Sequence, residues 1–205
     1  MKLIPITITN MTPIWSEESV LEFVGQIAGE CKNSSNSSND TDKCIQRAFN
    51  CVRRGHHSPW EHFNITLKST VDRGVSHALV RHRHCAFQQS STIYQKYQEI
   101  ECIGNDEDVP NYIKRAYCEA EIAYKQALND GQSPSEARDV LPTDLATNLI
   151  ITTNMRQWMY MLQRRRGPGD SDKMHQWQHL VHVWFEQNYP RILTAFEEWY
   201  ERHPL

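Results

Sequence analysis

Residues 63–97 read FNITLKSTVDRGVSHALVRHRHCAFQQSSTIYQKY, and the period of the apolar side chains changes inside this stretch. Phe63, Ile65 and Leu67 alternate with Asn64, Thr66 and Lys68, which predicts a half-buried strand. After Asp72 the spacing of Val75, Ala78, Leu79 and His82 predicts a helix leading into Arg81–His82–Arg83. Upstream, residues 16–29 read as a helix with Val20, Leu21, Val24 and Ile27 on one side. Residues 32–42 are polar and low in complexity, an exposed loop ending at a cap beside Thr41. Ile45, Ala48, Phe49 and Val52 then form the stripe of a second helix that stops near Gly55. Downstream, Pro110 starts a long helix with Ile113, Ala116, Tyr117, Ala120 and Tyr124 on its packing side. Ser133–Pro134 marks another start, and residues 143–164 read as one long helix. Trp177, Val181, Trp184 and Phe185 mark a final helix before Pro190. Helices around at least one short sheet place the chain in the α/β (α+β) class, and its length suits one domain over 1–205.

The 205 residues are 39% hydrophobic and 23% charged, enough apolar material for a packed core. A net charge of -3 argues against a protein that binds polymeric nucleic acid over its whole surface, but leaves room for a local basic cleft. The N-terminal stretch lacks the basic and long apolar segments of a signal peptide, and no run approaches the roughly 18 apolar residues of a membrane helix. A cytoplasmic protein with no membrane association is expected. Six cysteines without a CxxC pair read as reduced thiols, and no metal site is expected among them or the ten histidines. Neither a GxGxxG nor a GxxxxGK fingerprint is present.

The chemistry-bearing residues gather around Arg81–His82–Arg83 and the following Gln88, Gln89, Ser90, Ser91 and Thr92. Guanidinium groups offer several donors in a fixed fork, suited to phosphate or an electron-rich ring edge, and hydroxyls complete an anion site. Taken alone, the tripeptide also fits charges flanking a helix in solvent. Trp60, Tyr94, Tyr97 and Tyr160 are aromatic groups able either to stack on a planar ligand or to pack in the core.

Arg81–His82–Arg83 followed by seven residues and Ser91 resembles the signature of the flavin-dependent thymidylate synthases. Gly55–His56–His57–Ser58–Pro59–Trp60–Glu61–His62 resembles the family's upstream motif, Asn154 and Arg156 its nucleotide-contacting segment, and Gln176–Trp177 the start of its C-terminal flavin-associated segment. The resemblance implies helices around a central, largely antiparallel sheet and a homotetramer with shared active sites. It implies FAD as cofactor, with NADPH as reductant and methylenetetrahydrofolate as carbon donor, for methylation of dUMP to dTMP. By position, His56, Ser58, Arg81, His82, Arg83 and Gln176 are then the flavin candidates, with His56 and Arg81 as the catalytic pair. Gln89, Ser91, Thr92, Arg156, Arg165 and Asn188 are the candidates for the pyrimidine deoxynucleoside monophosphate. No cysteine nucleophile is implied, so Cys85 is read as a pocket-wall residue.

Departures from the family pattern fall mainly on the nucleotide side. Ala78 replaces a polar residue, Ile93 an arginine, Gln89 a glutamate and Ala86 a serine, while Gln178–His179 replaces Glu–Ile. Asn188 stands at another arginine position, with Arg164, Arg166 and Arg191 as possible replacements. Two other readings therefore stand beside dUMP methylation: methylation or hydroxymethylation of dCMP, and a catalytically degenerate flavin- or nucleotide-binding protein.

Overall fold

The structure, a computed structural model, describes residues 1–30, 40–165, 167 and 169–204. It divides into two compact units. The first holds Met1–Thr9, Lys68–Arg83 and Phe87–Ile151; the second holds Asn10–Leu67, His84–Ala86 and Thr152–Leu205.

The described residues form six strands and eight α-helices. In chain order they are β1 (Lys2–Ile4), β2 (Thr7–Asn10), α1 (Glu17–Glu30), α2 (Thr41–Arg53), β3 (Asn64–Asp72), α3 (Arg73–Leu79), β4 (Cys85–Gln89) and β5 (Glu101–Ile103). There follow α4 (Asn111–Asn129), α5 (Pro134–Ala137), β6 (Ala146–Asn154), α6 (Met155–Arg164), α7 (Asp172–Asn188) and α8 (Pro190–Arg202). Short 3₁₀ turns occupy Ser58–His62 and Arg138–Val140. A four-stranded sheet has the order β2-β3-β6-β4. Thr66 meets Thr152 and Thr70 meets Asn148, each pair at 2.9 Å, so β3 and β6 run antiparallel. The mixed class with helices around a largely antiparallel sheet is what the sequence predicts. No described helix is long and apolar enough to cross a membrane.

In the first unit, β1 pairs in parallel with β5, Leu3 opposite Cys102. Ile100, Cys102, Tyr117 and Leu145 form a buried cluster, with Leu3, Val109 and Ile113 against it. Tyr117 and Tyr124 of α4 are buried as their spacing predicts, whereas Ala116 faces solvent. Glu121 is buried between them in sequence. It is paired with the α-amino group of Met1 and with Lys125, each at 2.5 Å. Burial would raise its pKa, but these bonds and the Ile100 N–H bring it down to about 2.

In the second unit, α1 lies so close to α2 that a Cβ on Gly25 would meet the Cys44 carbonyl oxygen at 2.0 Å. Trp60, Trp158, Phe185 and Phe196 are fully buried or nearly so. Each contributes about 1.5–3 kcal/mol or more by leaving water. The Glu17 carboxylate accepts from the Ile192 N–H at 2.9 Å, satisfying a donor in the first turn of α8.

Three expectations are corrected. Residues 143–164 are not one helix but β6 followed by α6. Thr147, Leu149, Ile151 and Thr153 alternate inward as a strand, and Asn154 then caps a new helix by accepting from the Gln157 N–H at 2.9 Å. The helix before Pro190 is not the last, because Pro190 opens α8. The polar loop does not extend to residue 42. Asp40 caps α2 by accepting from the Asp42 N–H, so helix begins at Thr41, and residues 32–39 lie outside the described ones.

Candidate active site

The first unit carries the arginine signature on the turn between α3 and β4. Asp72 ends β3 and caps α3, its Oδ1 accepting from the Val75 N–H at 2.6 Å. The helix closes with the His82 N–H donating to the Leu79 carbonyl at 3.0 Å. His82 is buried while Arg81 and Arg83 on either side are exposed. Among the described residues, neither Arg81 nor Arg83 has a side-chain hydrogen bond or ion pair. Two cations held beside an anchored residue, with their donors uncommitted, suit an anionic or electron-rich ligand.

Gln89 at the end of β4 donates to Ser76 Oγ at 2.9 Å and Thr147 Oγ1 at 3.3 Å. Ser76 is fully buried and spends its own proton on the Arg73 carbonyl at 3.0 Å. Its hydroxyl therefore has only an acceptor left, which an amide satisfies and a carboxylate does not. Glutamine at this position, where the family carries glutamate, matches that environment. Ser91 Oγ accepts from the Ile93 N–H at 3.1 Å and keeps its proton for another partner. Thr92 is buried, and its hydroxyl accepts from Arg138 at 3.4 Å, so Ser91 is the more accessible of the two.

The remaining candidates belong to the second unit. Gly55, at φ 71°, ends α2 in the left-handed conformation that favours glycine, and exposed His56 follows it. Ser58 is exposed at the start of the 3₁₀ turn. His57, by contrast, is a packing residue. Its ring lies 4.4 Å from Trp199 and 5.0 Å from Phe196, and burial pushes its pKa down. Trp60 is wholly buried against Phe196 at 5.4 Å, so it serves the core. Cys85 is half-buried, and burial pushes its thiol pKa up, which disfavours a thiolate.

Arg156 sits in the first turn of α6 and pairs with Glu61 of the upstream motif. Arg165 pairs with Asp170 at 3.0 Å, both nearly buried. Gln176 is exposed on α7. Asn188 ends α7 with its amide donating to the Trp184 carbonyl at 2.7 Å, which leaves its oxygen as the group to present. Arg191 is engaged by Glu18 at 3.4 Å and lies over the Phe49 ring at 5.2 Å, so it is tied into the packing of the unit. Arg166 lies outside the described residues.

The candidates thus fall into two sets. Arg81, His82, Arg83, Gln89, Ser91 and Thr92 are gathered on the first unit, and His56, Ser58, Arg156, Arg165, Gln176 and Asn188 on the second. The first unit also holds a polar cleft of about 430 Å³, lined among others by Ser90, Lys96, Tyr97 and Asn148. Its lining includes none of the twelve predicted residues, although Ser90 lies between Gln89 and Ser91. Arg73 donates to the Ser90 carbonyl at 3.1 Å, and its Nε is buried without a hydrogen-bond partner. Sequence reasoning passed over Arg73 and Glu61. Glu61 stands inside the GHHSPWEH motif, and its charge there was the available signal.

The family described as thymidylate synthase complementing protein matches residues 15–187. The chain belongs to this family. Curated relatives named flavin-dependent thymidylate synthase include one from Synechocystis sp., 26% identical over 166 residues, covering 72% of this chain and 77% of the relative. Another, from Corynebacterium efficiens, is 27% identical over 182 residues and covers 78% and 72%. A crystal structure of a UMP/dUMP methylase from Streptomyces cacaoi bound with 5-Br dUMP has the same fold, with a TM-score of 0.80 at 21% identity over 97% of each chain. The protein is therefore an enzyme of the flavin-dependent thymidylate synthase family, in which a flavin supplies the redox chemistry. Each unit by itself carries groups of the kind such a cofactor takes: Arg81 and Arg83 of the first have no side-chain hydrogen bond or ion pair among the described residues, and His56 and Ser58 of the second expose a ring nitrogen and a hydroxyl.

Proposed function

We propose that this enzyme methylates dUMP to dTMP with methylenetetrahydrofolate as carbon donor, NADPH as reductant and FAD as cofactor, in the cytoplasm. The balance is dUMP, methylenetetrahydrofolate, NADPH and a proton giving dTMP, tetrahydrofolate and NADP⁺. FAD, when bound, relays the hydride. The reading rests chiefly on the uncommitted Arg81 and Arg83 at the family's arginine signature. In it, Arg81, His82 and Arg83 hold the flavin together with His56, Ser58 and Gln176, and His56 and Arg81 act beside the reacting ring. Ser91 donates to the nucleotide phosphate, which Arg156 neutralises, while Gln89, Thr92, Arg165 and Asn188 shape the nucleotide side. The active form is a homotetramer with shared sites, which light scattering checks directly.

The second reading, dCMP methylation or hydroxymethylation, is favoured by Ala78, Ile93 and Asn188. There the family's polar side chains give way to a methyl, an alkyl group and an amide. Uracil presents an N3 donor and O4 acceptor, cytosine an N3 acceptor and N4 donor. An unmatched buried group costs about 1–3 kcal/mol, so a pocket fitted to one base rejects the other. One competition assay tests both: dUMP, dCMP and UMP together with FAD, NADPH and methylenetetrahydrofolate, with product masses resolved. Preferential methylation of dUMP supports the proposal, and preferential conversion of dCMP or UMP overturns the substrate assignment. Bound flavin with no product leaves the catalytically degenerate binding protein, and no flavin bound even with added FAD overturns both flavin-based readings in favour of a structural protein.

A further inference from the structure

We propose that Glu61 is an internal counter-ion that Arg156 exchanges for the phosphate of the incoming nucleotide, an inference that rests on Arg156 being a phosphate contact. The carboxylate of Glu61, in the 3₁₀ turn Ser58–His62, meets the Arg156 guanidinium in the first turn of α6. Both side chains are about half exposed, at 49% for Arg156 and 45% for Glu61. An exposed pair of this kind adds little to folding stability. Nor does the helix itself call for a cation there. The N-terminal end of α6 carries the positive pole of the helix dipole, which favours anions in the first turn, and Asn154 already caps it. The position makes sense for an arginine that meets an anion, and Glu61 supplies one until a ligand does.

The arginine's charge also reaches inward. It helps to lower the pKa of buried His57 after burial itself, and it opposes the rise that burial imposes on Tyr200. A cation felt by two buried groups, and met by a half-exposed carboxylate, is a charge whose partner is replaceable. Glu61 then weakens nucleotide binding by the amount needed to displace it. It also disfavours anions too weakly held to displace it.

Calorimetric titration of the FAD-loaded protein with dUMP, and separately with inorganic phosphate, tests this through a double-mutant cycle. Glu61→Gln is expected to tighten dUMP binding about two- to fivefold, the range that an exposed pair carries. Arg156→Ala is expected to weaken it, and Glu61→Gln to have no further effect in the Arg156→Ala background. Glu201→Gln, the loss of another exposed acid of the second unit, is the control and leaves the affinity unchanged. Weaker binding in Arg156→Ala with no tightening in Glu61→Gln overturns the counter-ion and keeps the phosphate assignment. Equal tightening in Glu201→Gln overturns it as a general charge effect. Unchanged affinity in Arg156→Ala removes the phosphate assignment and the counter-ion together.

Discussion

The turn after α3 and the first turn of α6 both present arginine to solvent, yet they treat the charge differently. Arg81 and Arg83 flank a buried histidine and meet no carboxylate among the described residues. Arg156 is met by Glu61, and Arg165 at the other end of α6 by Asp170. An uncommitted cation binds whatever anion arrives, whereas a paired one binds only what displaces its partner. The first arrangement suits a cofactor held through many turnovers. The second suits a substrate that must enter and leave.

The largest expected effect breaks the first half of this comparison. Arg83→Lys keeps the charge but loses the planar fork, and flavin affinity is expected to fall about tenfold or more. Flavin absorbance after gel filtration reads the loss, and the melting temperature is expected to stay unchanged because no side-chain hydrogen bond or ion pair among the described residues is removed. Arg156→Lys acts on the other half. The KM for the nucleotide is expected to rise about five- to tenfold, while the flavin spectrum is unaltered. Equal effects of the two substitutions on both ligands would erase the distinction.

Smaller effects separate binding from stability. Gln89→Leu leaves the Ser76 and Thr147 hydroxyls without their donor, and chemical denaturation is expected to show a loss of about 1–2 kcal/mol. Glu121 contributes to the acid limb of stability. Its folded pKa of about 2 lies below the ordinary 4.5, so its contribution is complete above about 4.5 and is lost as pH falls through about 2. Glu121→Gln is expected to flatten the stability profile between those values and to leave ligand binding at neutral pH unchanged.

The arginine signature and the upstream motif were legible because charge and spacing survive in a linear string. Partners were not. That the Thr92 hydroxyl is taken by Arg138, and Arg156 by Glu61, depends on chain segments far apart in sequence. The misread of residues 143–164 has a local cause. Leu145, Leu149 and Met155 fit a helical stripe as well as a strand, and only the inward alternation of Thr147 and Thr153 decides between them. Pro190 reads as a stop in the linear sequence because proline breaks a helix interior. At the first helical position it is instead compatible, and α8 begins there.

The central claim is that a flavin, not the folate, supplies the reducing hydride. Its most direct measurement follows the folate product when purified protein turns over dUMP, methylenetetrahydrofolate and NADPH with and without FAD. The account predicts dTMP formation only with flavin, with tetrahydrofolate released in equal amount. Formation of dTMP without flavin, accompanied by dihydrofolate, would contradict it.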